Sequence, residues 1–385
     1  MHKTGLSKSW LAILLTLALL LPLAACGPSW EATLSRPDGD TFRVNAQVLE
    51  GLDGFAEGVG ATQAIPLERV LVSAGHSALD RLAVVDLEGT AHEFGWVPVA
   101  DRAWWFNNGR LSIMGEEFVA SHLDIEPPEL LGRVQASITD IAPTAATALG
   151  LPAPAQATGR ALEVPPARQV VLIFLDGFGY VRYTEALREG LIPNIVRLGE
   201  PLVGLTTYPP ITSVSTASLL TGAPPEVHGV EQRGIRKTEA ETLFDVVAAA
   251  SRQVVAIEGE SLAFQLRNAE TQLSGDLDGN GSTDDNVLVN ALAALRGGTP
   301  GIFFVHFHGI DDAGHTYGLE APEECAAIRG EDAAVGQLID VLPSGTLIII
   351  FADHGMHSVE EQGQLGNHSH LIERDMFIPI FVVSK

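Results

Sequence analysis

The chain has 385 residues, with 23 Lys+Arg against 48 Asp+Glu and a formal net charge of −25 at pH 7. Such a surface repels polyphosphate backbones and excludes a nucleic-acid polymer as partner, while 46% hydrophobic against 18% charged residues excludes global disorder. Two cysteines, Cys26 and Cys325, exclude a disulfide scaffold and a Cys-rich zinc site, so any metal must be held by His, Asp or Glu.

Met1–Ser9 is polar and carries Lys3 and Lys8. Trp10–Leu21 is apolar, and Pro22 and small residues follow, the layout of a secretory signal over residues 1–25. The run is shorter than the roughly 20 residues of a membrane-spanning helix. Leu23-Ala24-Ala25-Cys26 resembles a bacterial lipobox. That resemblance implies cleavage before Cys26, lipidation of its sulfur and an extracytoplasmic protein anchored to a bacterial membrane. Cys325 then lacks a partner and reads as a small buried residue.

Residues 26–131 read as a smaller β-rich accessory domain. Thr33–Leu34, Phe42–Val48, Leu82–Leu87 and Phe94–Val99 are β-like runs, with turn signals such as Asp38-Gly39-Asp40 among them. Trp104 and Trp105 read as core residues, with a ligand platform as the alternative. Residues 132–164 form a linker with a helix expected over Ile138–Leu149. From Arg168 the pattern alternates strands with helices. Val170–Leu175, Gly301–Ile310 and Thr346–Ala352 are continuous apolar runs, as in strands buried on both faces of a parallel sheet. Val203–Thr207 and Val254–Glu258 are further strands, and Met376–Ser384 is the last. Glu241–Ser251, Asn286–Leu295 and Pro322–Leu342 are the helical candidates. The expected fold of residues 165–385 is α/β, a doubly wound, mostly parallel sheet, whose ligands bind beyond the carboxyl ends of the strands.

Chemistry gathers at that edge. Asp176 ends one apolar run, Asp311 ends another with His315 four residues on, and Asp353 ends a third and is followed by His354. One such Asp is ordinarily a cap or a turn residue. Three of them, two with a nearby His, call for cations, and carboxylate with imidazole suits zinc or manganese. Gly366-Asn367-His368-Ser369-His370 supplies a late His. Thr212 follows Tyr208-Pro209-Pro210-Ile211 and opens a helix-like run, where free N–H groups favour an anion. The loop Asp276, Asp278, Asn280, Asp285 alternates oxygen ligands around Gly279 and Gly281, and reads as a calcium site or as a plain acidic turn. His306 and His308, on one face of a strand, read as packed or supporting residues.

Taken in order, Asp176-Gly177, Thr212 before Leu220-Thr221-Gly222 and His228-Gly229, Asp311-x-x-Gly314-His315, Asp353-His354-Gly355 and the late His resemble the alkaline phosphatase superfamily, in its type I phosphodiesterase/nucleotide pyrophosphatase branch. The resemblance implies one metal on Asp311, His315 and His368, and another on Asp176, Asp353 and His354. The oxygen of Thr212 would bridge both and act as nucleophile on a small phosphate ester. His370 is the alternative to His368. Ser215 stands where the branch carries Asn, and is expected to hydrogen-bond a phosphoryl oxygen.

Ile138–Pro152 resembles a segment that ordinarily closes this fold, which implies a circular permutation. Residues 30–131 resemble a molybdopterin-oxidoreductase β domain without a metal-binding cysteine. Competing functions are a phosphomonoesterase, a phosphosugar mutase, or a non-catalytic surface-binding lipoprotein.

Overall fold

The computed structural model describes residues 30–296, 300–361 and 363–385. The expected signal segment and Cys26 lie outside the described residues. Among the described residues, no helix is long and apolar enough to cross a membrane.

Two sheets organise the chain. The first has nine strands and is built around the long strand Glu116–Glu126, which pairs in parallel with Glu31–Ser35 and antiparallel with Arg81–Asp86 and Arg110–Ile113. Its strands alternate inward and outward residues. In Glu31–Ser35 only Ala32 and Leu34 are fully buried, the period-two pattern of a sheet with one face on a core. Trp96 and Trp105 fill that core, and Trp105 stacks on Trp30 at 6.2 Å between centroids. Two expected strands end early. Asn45 accepts the Val48 N–H and starts the helix Ala46–Glu50, so the strand stops at Asn45. The strand Ala91–Gly95 gives way to a turn at Trp96–Val99, which Pro98 favours by having no N–H for a ladder.

The second sheet has eight strands, in the spatial order 136–137, 202–205, 377–384, 346–351, 169–175, 301–307, 253–258, 270–273. Gln169–Leu175, Gly301–Phe307 and Thr346–Phe351 are buried at every residue and pair in parallel. Helices cover this sheet: Ile141–Ala148, Thr212–Thr221 and Leu243–Ala249 pack together, as do Asp284–Leu295 and Pro322–Val341. Ala136–Ser137 adds an edge strand parallel to Leu202–Leu205, which places the 132–164 segment within this layer. Phe377–Ser384 alone runs antiparallel to its neighbours. Its amino end therefore lies at the carboxyl edge of the other strands, and the 368–376 segment arrives there too.

The expected strand 301–310 ends at Phe307, because Gly309–Tyr317 is a helix. Asp311 thus sits in that helix's first turn and not at the strand end. Cys325 is half-buried in the helix Pro322–Val341, not a core residue, with its sulfur 3.5 Å from Arg182 Nη2.

Candidate active site

Asp176 directly follows its strand, and its N–H is held by Phe307 O at 3.0 Å. Gly177 has φ +72°, and a Cβ there would meet Asp311 Oδ1 at 2.9 Å, so glycine lets two carboxylate-bearing turns close on each other. Gly355 does the same on the other side, where a Cβ would collide with Arg374 O. Asp353 Oδ1 accepts the N–H of His354 at 2.9 Å and of Gly177 at 3.3 Å. Three segments that leave the carboxyl ends of strands are thereby tied into one acidic edge.

The imidazoles are oriented by backbone carbonyls. His354 Nδ1 lies 3.1 Å from Gly355 O, His368 Nδ1 2.8 Å from Pro210 O and His315 Nδ1 2.8 Å from Gly366 O. A carbonyl only accepts, so each Nδ1 carries the proton and each Nε2 faces the carboxylates. His315 Nε2 lies 3.3 Å from Asp311 Oδ2, and His354 Nε2 lies 3.2 Å from Asp353 Oδ2 and 3.5 Å from Asp176 Oδ1. His354 and His368 stack at 3.8 Å. Among the described residues, Asp176–Asp353–His354 and Asp311–His315–His368 each bring ligand atoms within 4.8 Å of one another.

The electrostatics are unbalanced in a specific way. Asp176 Oδ1, Asp311 Oδ1 and Asp353 Oδ2 are buried without a hydrogen-bond partner. Burial, then the charges of Asp176 and Asp311, push the Asp353 carboxyl well above the usual range. Burial lowers His354 to about 4 and His368 to about 3, which keeps both neutral and able to ligate. Burial also opposes charge on His315, but hydrogen bonding to Asp311 overrides it and raises His315 to about 9. Orphaned carboxylate oxygens beside oriented Nε2 atoms are the donor set of hard-to-borderline divalent cations, so the residues fit two such ions.

Thr212 is the first residue of the helix Thr212–Thr221, whose cap is Ile211 and receives no side-chain hydrogen bond. The hydroxyl is therefore not spent on capping. It lies half-buried, 3.3 Å from His354 Nε2. The first-turn N–H groups of that helix lack intrahelical acceptors and face the same edge. Behind it, Ser218 Oγ bonds His228 Nε2 at 2.8 Å, and burial lowers His228 to about 4.

The structure thus gathers Asp176, Thr212, Asp311, His315, Asp353, His354 and His368. It does not gather the others. His370 turns away, its Nδ1 3.2 Å from Glu68 Oε2. Ser215 is fully buried and its hydroxyl pairs with Thr206 Oγ1 at 3.1 Å. The 276–285 loop folds on its own carboxylates: Asp276 accepts the N–H of Gly279 and Gly281, and Asn280 Nδ2 donates to Asp285. It forms none of the three metal-capable groups among the described residues. The third such group is Asp176, His306 and His308. His306 bridges Asp176 Oδ2 at 3.0 Å and Glu258 Oε2 at 2.9 Å. Glu258 was not expected. It ends its strand in an acid as Leu175-Asp176 does, and that parallel is the signal that marks it.

A cavity of about 400 Å3 adjoins the site between the two sheets, lined among others by Trp104, Arg69, Tyr208, Ile211, Arg233 and Ser369. Trp105, by contrast, is wholly buried.

The family model for type I phosphodiesterase / nucleotide pyrophosphatase matches residues 170–269 and 264–378, more than half of the chain. Among curated proteins, the catalytic subunit of GPI ethanolamine phosphate transferase 3 from Mus musculus is 32% identical over 75 residues, 20% of this chain and 7% of that protein. Alkaline phosphatase PhoD from Zymomonas mobilis is 31% identical over 81 residues, 20% of this chain and 14% of that protein. The matched spans are a small part of those relatives' length. Among solved structures, phosphonoacetate hydrolase from Sinorhizobium meliloti 1021 in complex with phosphonoformate is similar at a TM-score of 0.42 and 19% identity, over 54% of this chain and 60% of that one. Murine ectonucleotide pyrophosphatase / phosphodiesterase 5 gives 0.41 and 18%, over 50% and 58%. On the extent of the family match, with the acidic edge inside it, the chain belongs to the type I phosphodiesterase / nucleotide pyrophosphatase family.

Proposed function

We propose that the chain is a metal-dependent hydrolase of phosphate esters in which Thr212 is the nucleophile. The observation that carries this reading is the set of orphaned carboxylate oxygens, on Asp176, Asp311 and Asp353, around an uncapping Thr212 hydroxyl. Asp311, His315 and His368 would hold one divalent cation, and Asp176, Asp353 and His354 the other, with zinc or manganese suiting the donors. Such ions supply a lowered hydroxyl pKa and neutralise charge that develops on the leaving oxygen.

The residues of the chain supply the rest. The helix amino terminus receives the phosphoryl oxygens. Thr212 Oγ1 gives up its proton to solvent and attacks phosphorus in line, the P–O bond to the leaving alcohol breaks as that oxygen takes a proton from solvent, and the phosphoryl group passes to Thr212. Water then displaces the threonine oxygen and frees phosphate from a monoester, or the remaining phosphate monoester from a diester. The cavity of about 400 Å3 takes the organic part of the ester. Its size favours a diester or a large monoester over a small one, with a phosphosugar mutase as the rival reading. Leu23–Cys26 supports lipid anchoring outside the cytoplasm, and Cys26→Ser would then release the chain from membranes.

The test is Thr212→Ala, assayed for zinc content, melting temperature and phosphoester turnover. Metal and stability should persist while turnover falls by about three orders of magnitude or more, since water is left without a positioned covalent relay. Turnover within a few-fold of wild type would refute the assignment.

A further inference from the structure

Glu68 lies in the short helix Leu67–Ser73 of the N-terminal sheet region, far in sequence from every residue above. It is 3% exposed, yet none of its bonds named below comes from its own region. Its Oε1 accepts the Leu371 N–H at 2.6 Å. Its Oε2 accepts the Tyr208 hydroxyl at 2.9 Å and faces His370 Nδ1 at 3.2 Å. Tyr208 stands four residues before Thr212, and His370 and Leu371 stand two and three after His368. One carboxylate thus joins the two loops that carry the nucleophile and the late His.

The neighbouring contacts reinforce the joint. Arg69 lies over the Tyr208 ring at 4.9 Å and the Phe55 ring at 4.0 Å, and donates to Glu231 O at 2.9 Å. Leu79 N–H bonds Leu371 O at 2.9 Å and forms a bridge with Ile372. His368, at the other end of this strap, donates from Nδ1 to Pro210 O, between Tyr208 and Thr212. The loops therefore bind each other once directly and once through Glu68.

We propose that Glu68 is a positioning residue for the phosphoesterase site, so that the N-terminal region is a working part of the active site rather than an appendage. The inference rests on the function proposed above. Glu68 acts through the loops and touches no reacting atom. A carboxylate is suited to the task because it only accepts, offering two oxygens to three donors from two loops. Losing a direct support of a metal ligand typically costs 10- to 100-fold in metal affinity or activity, and Glu68 stands one contact further out.

The test compares wild type, Glu68→Gln, Glu68→Ala and Tyr208→Phe as full-length, chelator-stripped protein. Zinc is titrated by calorimetry, amide hydrogen exchange is followed over residues 206–212 and 366–372, and kcat and KM are measured after reloading. In Glu68→Ala one of two zinc-binding steps should weaken about tenfold or more. Exchange should accelerate in both segments, and kcat should fall at least about tenfold with KM changed less than threefold. Glu68→Gln keeps its amide oxygen as an acceptor for Leu371 but turns an NH2 group, which cannot accept, toward Tyr208, and should fall between. Tyr208→Phe, which removes a single donor and threatens folding least, should reproduce the faster exchange in 206–212. Zinc affinity and kcat within twofold of wild type, despite a lowered melting temperature, would overturn the proposal. So would faster exchange in only one of the two segments of Glu68→Ala. If wild type itself binds no zinc, the metal reading fails by itself, and the exchange comparison still decides whether Glu68 joins the loops.

Discussion

Glu68 and the acids of the strand edge are buried in opposite ways. In the N-terminal region Glu68 is sunk with its acceptor capacity filled by three donors. At the edge of the C-terminal sheet Asp176, Asp311 and Asp353 are gathered, and each keeps a buried oxygen that accepts no hydrogen bond. A buried charge is tolerated when partners replace its hydration, and is strongly unfavourable otherwise. A satisfied acid is a piece of architecture. A group of unsatisfied ones beside imidazoles is a candidate site for cations, and burial alone does not distinguish the two.

The sharpest way to break this contrast is to neutralise one acid of each kind. Asp353→Asn should lose one zinc and lower turnover about a thousandfold or more. It should also raise the melting temperature of metal-stripped protein, because a carboxyl that burial and the charges of Asp176 and Asp311 make costly to ionise is replaced by a neutral amide. Glu68→Gln should lower the melting temperature with and without metal. A fall in the metal-stripped stability of Asp353→Asn would mean that the carboxylate is paired after all.

The next effect in size concerns the apolar packing of the N-terminal core. Trp105 is wholly buried and stacks on Trp30. Trp105→Ala should cost about 3–5 kcal/mol in denaturant unfolding. A loss under about 1 kcal/mol would show that this region contributes little packing of its own.

A smaller effect is pH-dependent and belongs to the C-terminal layer. His228 is pushed down to about 4 by burial behind the Thr212 helix, against 6.5 when unfolded. Between those values the unfolded chain binds a proton that the folded chain refuses. Stability from this group is therefore complete above pH 6.5 and falls as pH drops toward 4, by about 3 kcal/mol. His228→Gln should flatten the unfolding free energy over that window relative to wild type. An unchanged slope would contradict the assignment.

The C-terminal region was the more legible in sequence for a physical reason. Strands buried on both faces must be continuously apolar, so Val170–Leu175 and Thr346–Ala352 announce themselves, and the acids that end them stand out. Asp311 was found although its strand was drawn too long, since Phe307-His308-Gly309-Ile310 stays apolar enough to hide the turn into a helix. The strand ending at Asn45 was overrun because its helix start depends on a single side-chain cap. His370 could not be separated from His368 by spacing, because the choice depends on Glu68, some 300 residues away in sequence. Glu68 itself carried no local signal. It follows Pro66 and Leu67 at the start of a short helix, where an acid is ordinary, and its partners exist only in the folded chain.

The central claim is that phosphoryl transfer passes through Thr212, and the direct measurement is the stereochemical course at phosphorus. A phosphate ester made chiral with oxygen isotopes is turned over in the presence of an acceptor alcohol, and the configuration of the transferred phosphoryl group is read by phosphorus NMR. Each in-line displacement inverts phosphorus. Attack by Thr212 followed by release to the acceptor predicts net retention, and net inversion would mean a single displacement and no threonine intermediate.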